Sequence, residues 1–510
     1  MTVNALFDAL AATVARDQVE RSSTSRAALD RRCTGVTHDS RQVTPGAVFV
    51  ALRGHQADAA TTYAPQAIAA GAAAVVAEHP PASPVDVPWI VVGDARLALA
   101  LLAAAFFGQP SRELQVIGIT GTNGKTTTGY LVSAILDAAG QKCGLVGTVT
   151  YRVGDRTLDA IRTTPEAPEL QGLLRDMVTA GCRACVMEVS SHALALRRVD
   201  GIRFAAGVFT NLTRDHLDFH AGMDGYFAAK RRLFEMLPAD AVAVINVDDP
   251  RGASLVDLVR RPVTYGITRP ADVSLMGPVS SSLSGLQFDV RSPKGAVRVR
   301  SKLVGKPNVY NILAAVATTT ELGVPIAAVE QGVEQLSGVP GRFEIASSPE
   351  DDVTVVVDYA HTDDALRHLL ETARSMATHR LITVFGAGGD RDRTKRPLMG
   401  MVAARLSDVV VITSDNPRTE DPTRIIDEVK RGAEPEAKQG GAEVLVQPDR
   451  REAVLQAIAV AGPGDVVLVA GKGHEKYQEV GGQVYAFDDV GVAREALEAR
   501  RARSRVGCQS

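Results

Sequence analysis

Short apolar runs recur along the chain, each ending in glycine or polar turn residues and giving way to alanine- and leucine-rich stretches with helical spacing. Up to residue 108, β-like runs at 47–52, 73–77 and 89–92 alternate with alanine-rich helical stretches, and the pattern stops at Gly108-Gln109-Pro110. The next segment opens on a β-like run at 114–119, crosses a glycine-rich turn, enters a helical stretch at 126–139 and returns to a β run at 143–149. That βαβ order predicts a parallel sheet. Apolar runs at 184–187 and 206–209 extend it, while alternating residues with Gly and Ser turns at 262–304 predict a small antiparallel sheet. Beyond the turn-rich Ser337-Gly338-Val339-Pro340-Gly341, four β-rich runs at 353–357, 381–385, 409–413 and 466–469 predict a second doubly wound α/β domain.

These breaks divide the 510 residues into 1–108, 109–340 and 341–510. Three domains also follow from a usual core size of about 150 residues. A hydrophobic content of 45% with 23% charged residues is that of an ordinary globular protein. A net charge of -3 leaves no positive field for a phosphate backbone, so nucleic acid is not an expected partner. Five irregularly spaced cysteines argue for a reducing compartment, and Cys182 and Cys185 read as two small buried residues rather than half a zinc site. The start of the chain lacks signal-peptide features, and the most apolar run, 97–107, is far short of the roughly 20 residues that cross a bilayer. A cytoplasmic monomer without membrane insertion is expected, with a frayed tail from residue 500.

The most specific local pattern is Gly118-Ile119-Thr120-Gly121-Thr122-Asn123-Gly124-Lys125-Thr126-Thr127, between a strand-like run and a helical one. Its glycines let backbone N–H groups turn inward, and the helix N-terminus adds positive potential. Lys125 can neutralise β- and γ-phosphates, and a threonine hydroxyl can reach magnesium. A strict P-loop has glycine where this chain has Ile119, which points away from generic NTPases.

With that loop at its centre, the chain resembles the Mur ligases and their folylpolyglutamate synthetase relatives over nearly its whole length. The ordered likeness runs from Asp39-Ser40-Arg41 and His55-Gln56-Ala57 through Thr163-Thr164-Pro165, Glu188-Val189-Ser190-Ser191-His192 and Asp215-His216 to Lys230 and Asn311. It continues with Gly341-Arg342, Asp358-Tyr359-Ala360-His361, Gly388-Gly389-Asp390-Arg391, Asp415-Asn416-Pro417-Arg418 and Gly471-Lys472-Gly473-His474-Glu475. The resemblance implies an α/β fold with a central P-loop-type, parallel-sheet ATPase domain. An N-terminal α/β UDP-binding domain and a C-terminal Rossmann-like domain would flank it.

The implied reaction is ATP-dependent amide-bond formation through an acyl phosphate. It would join meso-diaminopimelate to UDP-N-acetylmuramoyl-L-alanyl-D-glutamate in peptidoglycan synthesis. The resemblance assigns ATP to Gly121, Thr122, Asn123, Gly124, Lys125, Thr126, Thr127, Asn311, Arg342 and Asp358. It gives Mg2+ to Thr126, Glu188, His216 and a carbamylated Lys230, with Lys125, Lys230, Glu188 and His216 as the catalytic set. The UDP-linked substrate falls to Ser40, His55, Gln56, Ala57, Thr163, Thr164, Ser190 and Arg198. The amino acid falls to Arg391, Asp415, Asn416, Pro417, Arg418, Gly471 and Glu475. In that set Arg418 would grip the distal carboxylate as a bidentate fork and Glu475 would hold the distal ammonium.

Three positions depart from the family pattern: Arg162 for asparagine, Leu196 for glutamine and Asp363 for proline. A lysine-adding ligase would share every feature but the amino-acid pocket, and Arg418 separates the two. A protein that only holds a nucleotide would not need Glu188, Lys230 and His216 together. A dinucleotide reading of Gly386-Ala387-Gly388-Gly389-Asp390-Arg391 fails, because arginine occupies the sixth position.

Overall fold

Strands covered by helices on both faces become continuous apolar runs, and the central strands Gln115–Thr120, Ala184–Glu188, Phe204–Phe209 and Val242–Asn246 are of this kind. In the computed structural model, which describes residues 1–13, 19–21, 26–53 and 59–507, they lie inside an eight-stranded sheet. Its order is Pro262–Tyr265, Val242–Asn246, Phe204–Phe209, Gln115–Thr120, Ala184–Glu188, Cys143–Val146, all parallel, followed by the antiparallel hairpin Thr150–Val153 and Arg156–Asp159. Leu131 and Ile135 of helix Lys125–Ala138, with Ile312 and Val316 of helix Lys306–Glu321, cover one face. Leu170 and Leu174 of helix Ala167–Thr179, with Leu233 and Phe234 of helix Gly222–Glu235, cover the other. The strand order reverses between Gln115–Thr120 and Phe204–Phe209, so the loops leaving their carboxyl ends open a crevice, the usual ligand position in such sheets.

The N-terminal segment builds a five-stranded sheet in the order Val19–Arg21, Trp89–Val92, Ala74–Ala77, Val48–Val50, Val36–Thr37, with only the first antiparallel. Helix Ala95–Phe106, capped by Asp94 on the Leu97 amide at 2.9 Å, buries the most apolar stretch of the sequence against it. The C-terminal segment builds a six-stranded sheet: Glu344–Ile345 antiparallel, then Thr354–Asp358, Val466–Ala470, Leu381–Phe385, Val409–Ile412 and Glu443–Val446 in parallel. Among the described residues no helix is long and apolar enough to cross a membrane, and both Cys182 and Cys185 are buried free thiols.

Two expectations need correction. Pro262–Tyr265 is the parallel edge of the central sheet, leaving the small antiparallel sheet to the strands between 274 and 301. Pro262 opens that edge strand, where a missing N–H is tolerated, and Val263 and Tyr265 point into the core. The tail does not fray at residue 500, because helix Asp489–Gly507 runs past it. Ala493 and Leu497 are buried under the sheet, and Arg500 pairs with Asp352 at 2.7 Å and donates to the Ala461 carbonyl at 2.7 Å.

A wholly buried ion pair ties this last helix to the sheet. Arg450 donates from Nε and Nη2 to the Asp489 carboxylate at 2.8 and 2.7 Å, and also reaches the Ser414 and Ala470 carbonyls at 3.3 and 3.0 Å. Removing one partner strands the other charge. Asp489→Ala should therefore lower stability by about 3–5 kcal/mol in urea unfolding of the C-terminal unit. The paired change Arg450→Met with Asp489→Leu should lose much less, and a similar loss in both variants would contradict this account.

Candidate active site

The turn after Gln115–Thr120 carries Gly121 at φ 147° and Gly124 at φ 83°, conformations that side chains disfavour. A Cβ on Gly121 would lie 1.9 Å from Thr210 Oγ1, and one on Gly124 would lie 2.4 Å from Asn311 Oδ1. The neighbouring loop after Phe204–Phe209 grips this turn. Thr210 Oγ1 donates to the Asn123 carbonyl at 2.6 Å, the Asn123 amide donates to Asn211 Oδ1 at 2.9 Å, and the Thr213 amide donates to Thr122 Oγ1 at 3.0 Å. Behind the turn, helix Lys125–Ala138 begins without a side-chain cap, leaving its first amides for an anion.

Two lysines meet at the turn's first carbonyl. Gly121 O accepts from Lys125 Nζ at 3.0 Å and from Lys230 Nζ at 2.6 Å. Lys230 is buried, although Arg231 and Arg232 beside it suggest a solvated face. Helix Gly222–Glu235 turns Tyr226 and Lys230, four residues apart, to one side, so the amine lies 4.4 Å over the Tyr226 ring. Burial pushes the Lys230 amine well below the usual lysine range; Lys125 adds to the effect and Asp215 opposes it. Burial also lowers Lys125, with Glu188 and Asp215 holding it up.

Glu188 ends its strand with its carboxylate on Thr148, accepting from the amide at 2.8 Å and from Oγ1 at 3.0 Å. Thr163 Oγ1 meets Thr148 Oγ1 at 3.1 Å. Thr164 Oγ1 donates to the Glu188 carbonyl at 2.8 Å and accepts from the Ser190 amide at 3.1 Å. Arg198 donates to the Thr164 carbonyl at 3.0 Å and pairs with Glu166 at 2.7 Å, a carboxylate that Arg162 shares at 3.1 Å. Glu188, Thr163, Thr164, Ser190 and Arg198 are thus one continuous cluster. Ser40 lies in the N-terminal sheet's loop, on Gln66 Oε1 at 3.0 Å, while His55, Gln56 and Ala57 lie outside the described residues.

The third unit reaches the phosphate turn directly. Arg342 Nη2 donates to Thr126 Oγ1 at 3.2 Å with its guanidinium 4.5 Å over the Tyr359 ring, and Asp364 accepts from Asn123 Nδ2 at 3.2 Å. Thr127 is buried in the first turn of the helix. Asn311 packs against the turn, accepting from Thr128 Oγ1 at 3.3 Å. Asp358 is committed to the Phe343 and Ala360 amides at 2.7 and 2.8 Å, where it fixes the bend after Arg342.

At the carboxyl ends of the third sheet, Asp415, Asn416, Pro417 and Arg418 fold against Gly471 and Glu475. Gly471, at φ 116°, leaves room for Asp415, whose oxygen would be 2.6 Å from a Cβ there. Asn416 Nδ2 donates to Glu475 Oε2 at 2.9 Å, and the Pro417 carbonyl backs onto Gly389. Arg418, at φ 52°, donates to the Gly389 carbonyl at 2.6 Å. Arg391 is not brought in: it is exposed and bonds its own loop at the Asp390 carbonyl, 3.1 Å away. Sequence reasoning left out Lys472, wholly buried and on Asn416 Oδ1 at 2.9 Å, and Glu479 on Arg418 at 3.4 Å. The Gly-Lys-Gly-His-Glu motif contained the signal for Lys472; nothing local signalled Glu479.

Among the described residues no three His, Cys, Asp or Glu side chains form a metal cluster. His216, at φ 53°, stacks edge-on to His192 at 4.8 Å and sits 3.4 Å from Asp215, and burial holds its imidazole below the usual range. Magnesium carried by a nucleotide needs only one or two protein oxygens beside phosphates and water. Thr126 and Glu188 flanking the turn meet that requirement.

Residues 32–107 match the Mur ligase family catalytic domain, 119–319 the Mur ligase middle domain, and 341–473 the Mur ligase glutamate ligase domain. The chain is 49% identical over 473 residues to a UDP-N-acetylmuramoyl-L-alanyl-D-glutamate--2,6-diaminopimelate ligase from Geobacter metallireducens, covering 89% of this chain and 92% of that one. It is 48% identical over 468 residues to the protein of that name from Solibacter usitatus, covering 91% and 93%. A solved structure bearing the same name superposes with a TM-score of 0.68 at 35% identity, covering 94% of this chain and 98% of that one.

Proposed function

Since the chain belongs to the Mur ligase family, we infer that it is the ATP-dependent ligase that joins meso-2,6-diaminopimelate to UDP-N-acetylmuramoyl-L-alanyl-D-glutamate in peptidoglycan synthesis. The observation that carries this reading is Arg418, a basic fork held by the Gly389 carbonyl and Glu479 in the loop whose Asn416 donates to Glu475, at the carboxyl ends of the third sheet. It suits an amino acid with a second carboxylate. The work divides by segment: 1–108 for the UDP-sugar, 109–340 for ATP and 341–510 for the amino acid. We assign it to the cytoplasm, as a monomer.

ATP transfers its γ-phosphoryl group to the side-chain carboxylate of the D-glutamyl residue, leaving ADP and an acyl phosphate. The diaminopimelate amine then attacks the acyl carbon, and the tetrahedral intermediate expels phosphate. Lys125 and the first amides of helix Lys125–Ala138 balance charge on the phosphates, and Arg342 brings a further cation from the third unit. Thr163, Thr164, Ser190 and Arg198 hold the UDP-linked substrate next to Glu188.

Thr126, Glu188, His216 and a carbamylated Lys230 would hold magnesium, which would supply positive charge for the phosphate oxygens. The buried amine of Lys230, disfavoured as a cation, is the form that adds carbon dioxide, releasing one proton and yielding an anion beside Lys125. Lys230→Ala should lose nearly all turnover and recover part of it with added acetate or another short carboxylic acid. Identical rates with and without such acids would remove support for the carbamate.

Lysine is diaminopimelate without the distal carboxylate, so it would form no ion pair with Arg418, whose guanidinium would keep only Glu479 and the Gly389 carbonyl, a loss of about 2–5 kcal/mol. The wild type should prefer diaminopimelate over lysine by about 30-fold or more in kcat/KM, at about 1.4 kcal/mol per tenfold. Arg418→Ala should lose most diaminopimelate activity and far less lysine activity, collapsing the ratio. Equal use of both amino acids by the wild type, or an undiminished ratio in the variant, would show that the pocket reads something else.

A further inference from the structure

Helix Lys395–Leu406 begins where the third unit meets the clamp on the phosphate turn. Arg214, from the same loop as Thr210 and Thr213, pairs with Asp392 at 3.3 Å and bonds Thr394 Oγ1. Lys395 follows that crossing directly. Its neighbour Arg396 is fully engaged, reaching Glu420 at 2.8 Å, Glu428 at 2.8 Å and the Gly388 carbonyl at 3.1 Å.

Lys395 is not engaged. It is only 9% exposed, yet among the described residues its ammonium has no hydrogen bond and no carboxylate oxygen within 4.0 Å. Buried polar groups are as a rule paired, and a buried cation without a partner is costly to hold. Burial lowers its pKa, while Asp215, Asp415 and Asp392, in that order, hold it up and Arg391 opposes them. Asp215 belongs to the clamp loop and also supports Lys125 and Lys230, whereas Asp415 opens the amino-acid loop. These carboxylates have other partners: Asp215 accepts from the His216 amide at 2.9 Å, Asp392 pairs with Arg214, and Asp415 lies 3.8 Å from Lys472. The unpaired ammonium thus stands between the clamp and the amino-acid loop, where the two halves of the reaction meet.

Resting on the function proposed above, we propose that Lys395 is a further catalytic residue, whose ammonium binds the phosphoryl oxygens of the acyl phosphate from the side of the amino-acid loop. In the second half of the reaction the neutral amine adds to the acyl carbon. The C–O bond to phosphate then breaks with its electron pair, and the proton shed by nitrogen ends on the phosphate, giving the amide and hydrogen phosphate. Lys395 makes and breaks no bond and keeps its protons throughout. It balances the charge that gathers on the departing phosphate, opposite Lys125 on the ATP side. A cation fixed in place before the anion arrives needs no rearrangement when that charge develops, and the anion offsets the cost of having buried it.

The test uses the full chain as wild type, Lys395→Met and Lys395→Arg, with ATP, UDP-muramoyl dipeptide and diaminopimelate. Methionine keeps an unbranched apolar stem and removes an unpaired cation, so the urea midpoint should hold or rise. In that variant kcat should fall about 100-fold or more, the scale of one lost electrostatic donor. The KM values for all three substrates should stay within about threefold, as for a contact absent from the bound ground state. Lys395→Arg should regain at least about tenfold in kcat over Lys395→Met, because a guanidinium also pairs with phosphate. A urea midpoint that falls along with activity in Lys395→Met would mark a structural lysine. A raised KM for diaminopimelate with kcat preserved would mark a contact to the amino acid. Either result overturns the proposal, as does an unchanged kcat or an arginine variant no better than methionine. A wild type that releases no phosphate with all three substrates present would overturn the proposed function itself, whereas an active wild type beside an equally active Lys395→Met would overturn this inference alone.

Discussion

One carbonyl oxygen, that of Gly121, accepts from two lysine side chains at 3.0 and 2.6 Å, and the site depends on that convergence. Burial disfavours both ammonium groups: it pushes Lys230 well below the usual lysine range, with Lys125 adding to the effect, and it lowers Lys125, which Glu188 and Asp215 hold up. The two lysines that share this acceptor therefore differ in the charges that oppose the effect of burial on them. Glycine at 121 is required for this, because any side chain would strike Thr210 and force the turn open.

Everything larger in the fold serves to bring groups to that turn. The central sheet reverses its strand order beside it, so Thr210–Thr213 can clamp the turn from one side while Glu188 arrives from the strand on the other. The third unit supplies Arg342 on Thr126 and Asp364 on Asn123, and Arg214 crosses to Asp392 at 3.3 Å. Its own sheet presents Asp415–Arg418 at the same kind of strand ends. An amide-forming ligase needs an activated carboxylate and an amine at one point, and two sheets meeting at their carboxyl edges meet that need.

The phosphate turn was legible because its chemistry is local: glycine spacing, the lysine and the flanking strand and helix all fall within a few residues. The parallel strands were legible for a similar reason, since burial on both faces leaves unbroken apolar runs. Lys230 was readable only by resemblance, because Arg231 and Arg232 give its helix a polar appearance and the face is decided by packing. Glu443–Val446 escaped notice as an exposed edge strand without a continuous apolar run. Glu479 escaped because its partner is 61 residues away, and only the pairing of strand Tyr477–Val480 with Arg418 joins them. The role assigned to Asp358 rested on resemblance too, and its carboxylate proves to be occupied by two backbone amides.

The central claim is that this turn transfers phosphate to a carboxylate before the amide forms. The direct measurement labels the D-glutamyl side-chain carboxylate of UDP-N-acetylmuramoyl-L-alanyl-D-glutamate with oxygen-18 and analyses the phosphate released during ligation to diaminopimelate. An acyl phosphate requires one labelled oxygen in each phosphate, with ADP as the other nucleotide product. Unlabelled phosphate, or AMP with pyrophosphate, would contradict it.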